Sequence, residues 1–292
     1  MYNELIWVIL IGISSLSYGL FNAFSAKENE VGSKYQLIAV QYSINLFIGI
    51  CLLIIFWIGA IHLSSILHIA ILLIWGIAWY IGIYSLFSGI EKSWPTLTML
   101  IGNSYIVLLF FWNIFLYWGN EVLSPMKTVL GILFIIGIGY LVWDTRSEKK
   151  IHREKFLFPV LTGISWMLYS GTSTYIIKNS LLSPLTTLVV LEWFITVFAI
   201  ITYLYKEKPQ ITAILADITK IKIALWILLA IAGITWFFSY KFLPANIVNI
   251  LLLSQNIATI ICMALILKKR YPLKEWILLW SMTLLLMWFV FV

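Results

Sequence analysis

Charged residues are scarce in this chain, and their scarcity excludes most classes of protein. Only 11% of the 292 residues are Asp, Glu, Lys or Arg, whereas 62% are hydrophobic. A folded protein of this size needs more polar side chains than that to cover its surface in water. The composition therefore predicts an integral membrane protein, for which the lipid bilayer is the solvent.

Cysteine and histidine are also rare, which argues against a disulfide framework, a metal centre and the usual catalytic motifs. Cys51 and Cys262 fall within predicted helices and are interpreted as small packing residues. The three histidines, His62, His68 and His152, lack the spacing of a ligand set. The sequence has no Gly-rich phosphate loop, HExxH motif or nucleophile elbow. We therefore predict no enzymatic activity, no cofactor and no metal.

Ten apolar stretches of about 20 residues divide the chain. A stretch of that length crosses the ~30 Å hydrocarbon core as an α-helix, because a helix satisfies its own backbone groups there. Prolines near the starts of six stretches support their boundaries. The expected fold is all-α with ten transmembrane helices. Numbered in chain order, the predicted spans are Leu5 to Ser25, Tyr35 to Ile58, Ile66 to Gly89, Trp94 to Trp118, Pro125 to Trp143, Phe156 to Ile177, Pro184 to Tyr205, Lys222 to Phe242, Pro244 to Leu267 and Leu273 to Val292.

Positive charge lies mainly on one side of this series of spans. Sixteen of the nineteen Lys and Arg residues fall in or beside the loops that follow odd-numbered spans; the exceptions are Lys127, Lys178 and Lys241. Because short basic loops stay in the cytoplasm, this asymmetry predicts that both termini lie outside and that the 144–155 loop is cytoplasmic. Membrane orientation thus accounts for the net charge of +7, and no nucleic-acid partner is expected.

The basic linker separates two groups of five spans that share features. At an offset of about 150 residues, Pro95 falls opposite Pro244 and Gln41 opposite Glu192. Because five is odd, the two groups must cross the membrane in opposite senses. Inverted repeats are typical of secondary transporters, whose substrate site lies near the membrane midplane. The predicted units are 1–143 as the first five-helix repeat, 144–155 as the linker and 156–292 as the second five-helix repeat.

Several features resemble the EamA-like ten-helix members of the drug/metabolite transporter (DMT) superfamily. These features are Tyr18-Gly19-x-x-Asn22 with Lys27 in span 1, the helices opened by Pro95 and Pro244, and Asn120-Glu121 followed by Leu123 before span 5. The resemblance covers almost the full chain and implies two inverted halves that carry a small organic solute by alternating access. Arg270 departs from the acidic residue that the family often has there, and Gln41 and Glu192 stand where many members carry arginine. The family usually places both termini in the cytoplasm, opposite to the charge count.

Polar side chains within the spans form stripes that indicate a hydrated cavity. Two related stripes are Ser14, Tyr18, Asn22 and Ser25 in span 1, and Thr162, Trp166, Tyr169 and Ser173 in span 6. Spans 5 and 10 lack such stripes. We therefore predict a cavity walled by spans 1 to 4 and 6 to 9, with spans 5 and 10 as outer braces of a monomer or as the contact of a homodimer. The alternative role of the polar groups is hydrogen bonding between helices.

Glu192 is the strongest single candidate for a residue that binds substrate or carries a proton. It lies nine residues after Ser183, and a rise of about 1.5 Å per residue places it ~13 Å into the membrane. Because an ionised carboxylate is costly there, it should be protonated or paired with a cation. It is interpreted as a substrate contact and proton carrier, and the alternative is a carboxyl group hydrogen-bonded to Asn or Gln. The predicted substrate-binding residues are Glu192, Gln41, Asn22, Asn103, Tyr169, Trp236 and Asn256.

These features predict a secondary transporter of the inner or plasma membrane. The expected cargo is a small organic metabolite, an amino acid or amine-like solute, with proton coupling through Glu192. Two alternatives stay open. The numerous tryptophans with one carboxylate would also suit an exporter of aromatic or cationic drugs, and a non-transporting membrane assembly subunit would need no cavity between the halves. The partners expected are the small-molecule substrate and the lipid bilayer.

Overall fold

All secondary structure in the described part of the chain is helical in the computed structural model. The described residues are 2–29, 33–56, 66–92, 95–102, 104–105, 107–109, 125–149, 156–178, 183–208, 220–243, 245–266, 268 and 273–291. They form ten α-helices: α1 (Tyr2–Asn29), α2 (Lys34–Phe56), α3 (Ile66–Lys92), α4 (Pro95–Gly102), α5 (Pro125–Lys149), α6 (Leu157–Lys178), α7 (Pro184–Glu207), α8 (Lys220–Phe242), α9 (Ala245–Ile266) and α10 (Leu273–Phe291).

The helices follow the predicted spans closely, with two differences. α5 continues to Lys149, so the first half of the predicted linker is helical; no Gly or Pro interrupts its polar end. α4 is regular only to Gly102. A turn follows, in which the backbone N–H and the hydroxyl of Ser104 both donate to the carbonyl of Ile101, at 3.0 and 2.6 Å. Residues 110–118 of predicted span 4 lie outside the described residues.

Four helices in the described part of the chain are long and apolar enough to cross a membrane. Their candidate spans are Ile6–Phe24, Lys34–Ile55, Ile69–Glu91 and Pro184–Glu207. Large apolar side chains stand on the outer faces of the helices, such as Ile54, Ile136 and Leu265, which are 68%, 60% and 73% exposed. A protein in water rarely presents such extended apolar surface. The chain is therefore a helical, membrane-associated protein.

Helices from before the linker pack mainly against helices from after it. α1 packs on α8 and α9, while α6 packs on α3 and α4. α2 lies against α7, and α5 lies against α10. Each of these contacts joins the first half of the chain to the second. The two halves therefore share one interior instead of forming two separate cores.

Glycine permits two of the closest helix contacts. A Cβ atom at Gly19 of α1 would lie 2.6 Å from Cβ of Ala258 and 2.9 Å from the backbone N of Thr259 in α9. A Cβ atom at Gly76 of α3 would lie 2.5 Å from Cβ of Phe194 in α7. These separations are shorter than any van der Waals contact between carbon atoms. Small residues thus allow the backbones of these membrane helices to approach each other.

Gly19→Ala is expected to destabilise the fold by about 1–3 kcal/mol, because the new methyl group would push α1 away from α9. Gly12→Ala is the matched control on the same helix, since a Cβ atom there has nothing within 4 Å. The control should be neutral or stabilising by up to about 1 kcal/mol, through its better helix propensity. Thermal unfolding of both variants in one detergent measures the difference. Equal melting temperatures for the two variants would contradict the close contact of α1 with α9.

Candidate functional site

A cavity lies between the two halves of the chain, and the empty space within it and its opening is about 730 Å³. Its walls come from α1, α2 and α3 in the first half and from α6, α7, α8 and α9 in the second, together with Tyr105. The sequence predicted walls from spans 1 to 4 and 6 to 9. In the described part of the chain, α5 and α10 contribute none of the lining residues.

The start of α7 determines where Glu192 lies. Ser183 is extended and caps the helix, because its hydroxyl accepts a hydrogen bond from the backbone N–H of Thr186 at 3.1 Å. Pro184 occupies the first turn, where its missing N–H leaves no helical hydrogen bond unmade. The helix then runs without interruption to Glu207. This start carries Glu192 about two and a half turns into the helix, well away from either end of the helix bundle.

Close packing of α2 on α7 brings the polar residues of both helices together. A Cβ atom at Gly49 of α2 would lie 2.8 Å from Cγ2 of Val189 in α7, so only glycine permits this approach. Glu192 lies one turn after Val189 and is only 8% exposed. The side-chain amide of Asn45 in α2 donates a hydrogen bond to the Glu192 carboxyl group. Asn45, in the first half of the chain, thus positions the carboxyl group of Glu192, which lies in the second half.

One oxygen of this carboxyl group is left without a partner. The Oε2 atom of Glu192 has no hydrogen-bond partner among the described residues. The described lining of the cavity contains no Lys, Arg or His, so none of these lining residues neutralises the acid. Its other titratable side chains are the phenols of Tyr18, Tyr42, Tyr105 and Tyr169. Glu192 therefore presents a buried acceptor to the cavity.

Gln41 and Asn45 lie one turn apart on the face of α2 that lines the cavity. Gln41 is fully buried, and within the described chain neither its Nε2 nor its Oε1 has a hydrogen-bond partner. The Oδ1 atom of Asn45 also has none there. Leaving such a group unsatisfied costs about 1–3 kcal/mol, and native proteins seldom accept that cost. These three atoms, with Glu192 Oε2, mark a place where a bound molecule would supply the missing bonds; we call this the polar end of the cavity.

Four aromatic rings form another wall, which we call the aromatic cluster: Trp79 of α3, Trp166 and Tyr169 of α6, and Trp236 of α8. The ring centroid of Trp79 lies 4.0 Å from that of Tyr169, 6.2 Å from Trp166 and 6.1 Å from Trp236. The indole N–H of Trp79 donates to the hydroxyl of Tyr42 at 2.7 Å. This bond connects the aromatic cluster to α2, next to the polar end. Such faces suit a planar or cationic solute.

Comparison with known proteins identifies the fold without a family. No family model matches the chain, and no curated protein matches its sequence. Among solved structures, 28 chains match. One of them is the crystal structure of a protein that aligns over 97% of this chain and 96% of its own length, with a TM-score of 0.67 and 14% sequence identity. At that identity the similarity concerns the fold alone.

Most of the residues predicted as substrate contacts come together in the cavity. Those that line it are Glu192, Gln41, Asn22, Tyr169 and Trp236. Asn103 lies outside the described residues, and Asn256 belongs to α9 with a side chain that the structure does not describe. Asn22 also has a partner, because its Nδ2 donates to Oγ1 of Thr259 in α9 at 3.3 Å. A role of these residues in substrate binding stays a prediction.

The predicted polar stripes divide between the cavity and helix contacts. Ser14 of α1 donates a hydrogen bond to the backbone oxygen of Ala232 in α8 at 2.8 Å. The hydroxyl of Thr162 in α6 lies 3.4 Å from the backbone oxygen of Gly82 in α3. The next two members of both stripes line the cavity. Bonding between helices, the alternative role, thus applies to Ser14 and to Asn22, which bonds Thr259 of α9. The hydroxyl of Thr162 lies nearer to the backbone oxygen of Phe158 in its own helix, at 2.9 Å.

Three polar lining residues, Tyr42, Tyr105 and Ser170, were missed by the sequence analysis. Tyr42 lies between Gln41 and Asn45, so helical spacing already contained the signal for it. Tyr105 follows the turn that ends regular α4, and no spacing rule predicts its direction after such a turn. Trp193 is 51% exposed on the outer surface of α7. Its neighbour Glu192 points inward instead, since adjacent helical residues lie about 100° apart.

Proposed function

We propose that this chain is a secondary transporter that moves a small organic solute, an amino acid or amine, across the cell membrane by alternating access. The observation that carries this proposal is the cavity between the halves, in which a buried acid and unsatisfied amide groups lie beside aromatic rings. A preformed and mostly apolar cavity with a few converging polar groups is typical of a small-molecule site. In a membrane protein, an ionisable residue at such depth is a candidate functional group by default.

We also propose ten transmembrane helices arranged as two inverted five-helix repeats. The pairing of helices supports this. In two such repeats, each helix of the first half corresponds to the helix five places later in the second half, so α1 corresponds to α6. The α1–α8 contact then corresponds to α6–α3, and α1–α9 corresponds to α6–α4. The α2–α7 and α5–α10 contacts each correspond to themselves. The Ser14–Ala232 and Thr162–Gly82 contacts are related in the same way, at offsets of 148 and 150 residues. A pseudo-two-fold axis in the membrane plane would relate contacts in this manner.

The family and orientation that we propose come from the sequence. The span 1 motif and the prolines that open spans 4 and 9 support an EamA-like member of the DMT superfamily. The distribution of Lys and Arg supports insertion in the inner or plasma membrane with both termini outside. α5 and α10 lie outside the cavity walls, so they are the helices that we propose to brace a monomer or to join a homodimer.

Alternating access requires contacts that close one end of the cavity and can break. Ser33, just before α2, donates a hydrogen bond to Glu207 at the end of α7, on the side that the charge distribution assigns to the cytoplasm. This bond joins the first half of the chain to the second. A single hydrogen bond of this kind contributes only about 0.5–1.5 kcal/mol. Contacts that weak can open during a transport cycle.

The aromatic cluster favours a second candidate function, export of aromatic or cationic drugs. A drug exporter would accept several unrelated aromatic cations with similar affinity, whereas a metabolite carrier would accept one chemical class. The melting temperature of the detergent-solubilised protein, measured with a panel of aromatic cations and amino acids, separates the two. A rise with many unrelated cations favours the exporter, and a rise with one class favours the metabolite carrier.

Uptake into proteoliposomes tests the transport function itself. The suitable probes are radiolabelled phenylalanine and trimethylphenylammonium, because the latter has no uncharged form that could leak through the bilayer. We expect saturable uptake of at least one probe, faster than into protein-free liposomes and altered by an imposed pH gradient. Uptake of both probes at the protein-free rate would contradict transport and would favour a non-transporting membrane subunit.

A further inference from the structure

We infer that the cavity selects solutes that carry one ammonium group, protonated or quaternary, and no carboxylate, so that it accepts aromatic amines and rejects the corresponding amino acids. This inference rests on the proposed function, because it concerns the same cavity, and it narrows the substrate class. It follows from the charges, the hydrogen-bonding atoms and the rings of the described lining residues.

The charge balance of the cavity admits one positive charge. Glu192 is the only acid among the described lining residues, and these include no Lys, Arg or His. An ammonium group beside Glu192 would cancel the buried charge. An amino acid would bring a carboxylate into the same enclosed space, where only neutral N–H and O–H groups could receive it. A buried ion without a partner of opposite charge is strongly unfavourable, so the second negative charge should be excluded.

The hydrogen-bonding atoms of the polar end match an ammonium group in number. Three acceptors there lack partners within the described chain: Oε2 of Glu192, Oδ1 of Asn45 and Oε1 of Gln41. A primary ammonium group has three N–H donors and no acceptor. A carboxylate has only acceptors and would meet three acceptor atoms at the polar end. The donors without a partner among the described lining residues include one amide nitrogen at the polar end, Nε2 of Gln41, and the indole N–H of Trp166 in the aromatic cluster. The polar end is therefore complementary to an amine and not to a carboxylate.

The aromatic cluster supplies the remaining contacts of an aromatic amine. Trp79 is fixed in position by its bond to Tyr42, which lies on α2 between Gln41 and Asn45. The polar end and the aromatic wall are thus joined by a single hydrogen bond. A solute with a short link between its ammonium group and its ring can engage both. Ring faces also attract a nearby cation, which adds to the preference for positive charge.

A matched series of four ligands tests this specificity: 2-phenylethylamine, phenylalaninol, phenylalanine and 3-phenylpropionate. The second and third differ only where a hydroxymethyl group replaces the carboxylate. Binding to the purified, detergent-solubilised chain is followed by tryptophan fluorescence at an excitation wavelength that phenyl compounds do not absorb, since Trp79, Trp166 and Trp236 line the cavity. The two amines without a carboxylate should bind at least about tenfold more tightly than phenylalanine, and 3-phenylpropionate should bind most weakly.

Two variants test whether the preference for amines comes from Glu192. Glu192→Gln should weaken the binding of phenylalaninol at least about tenfold. Glu91→Gln makes the same chemical change at the half-exposed end of α3 and should leave the binding unchanged. If the Glu192→Gln variant does not fold, the four-ligand series on the parent protein still tests whether the cavity prefers amines to carboxylates. Phenylalanine binding as tightly as phenylalaninol, 3-phenylpropionate binding best, or no binding by any of the four would overturn the inference.

Failure of the inference and failure of the proposed function give different results. Discriminating binding without uptake of phenylalaninol into proteoliposomes would overturn transport and leave the specificity intact. Uptake of phenylalanine at the rate of phenylalaninol would overturn the specificity and leave transport intact.

Discussion

Glu192→Gln is expected to slow the uptake of trimethylphenylammonium at least about tenfold and to make the remaining uptake insensitive to pH. Gln keeps the shape of the side chain but can neither carry a negative charge nor take up a proton. On the proposed function, a proton and the solute cation compete for the same carboxyl group in the parent. Lowering the pH on the side that the cavity faces should therefore slow uptake by the parent.

Initial uptake rates over a pH series measure this effect in three proteins. Glu91→Gln is the control, because it removes an acid that lies outside the cavity and pairs with Lys34. The control should keep the pH dependence of the parent. If the Glu192→Gln variant keeps the uptake rate and the pH profile of the parent, Glu192 takes part in neither substrate binding nor proton coupling.

Gly233→Phe is expected to abolish uptake while the protein remains folded. Gly233 lies on the cavity wall in α8. A Cβ atom there would lie 3.8 Å from Leu188 and 3.8 Å from the hydroxyl of Tyr18, which are ordinary contacts that force no backbone shift. The added ring would occupy the space that a solute needs. Because the ring and the solute cannot share the cavity, we expect a loss of about 100-fold or more in affinity.

Gly12→Phe provides the comparison for this substitution. Gly12 is another helical glycine with open space at its Cβ position, on α1. It is not among the residues that line the cavity. Both variants should elute as folded protein in size-exclusion chromatography, and only Gly233→Phe should lose uptake. Normal uptake by Gly233→Phe would mean that the solute takes another path.

The positions of the helices could be predicted from the sequence, since long apolar runs and their opening prolines carry that information locally. The place of Glu192 within α7 was predictable for the same reason, because its distance from Ser183 along a helix fixes it. The periodic spacing of Tyr18 and Asn22 in one helix, and of Trp166 and Tyr169 in another, also indicated one polar face on each. Each of these inferences needs only the residues of a single helix.

The arrangement of the cavity could not be predicted in the same way, because it depends on which helices meet. Helical spacing places Ser14 and Tyr18 on the same face of α1 and does not distinguish their roles. In the structure, Ser14 bonds α8, whereas Tyr18 lines the cavity. The bond from Trp79 to Tyr42 joins α3 to α2, and no pattern within either helix predicts it. Tyr105 follows the turn at Ser104, beyond the regular part of α4. The contacts of Trp79 with rings on α6 and α8 likewise require the helix pairing that only the folded chain supplies.

The central claim is that a cavity between the two halves opens to each side of the membrane in turn. Gly233→Cys, in a chain whose Cys51 and Cys262 are replaced by Ala, would place a single thiol on the cavity wall. The direct measurement is labelling of this thiol by a membrane-impermeant maleimide in right-side-out and in inside-out vesicles, with and without trimethylphenylammonium. We predict labelling from both sides and its reduction by the solute. Labelling from one side only, or from neither, would contradict alternating access through this cavity.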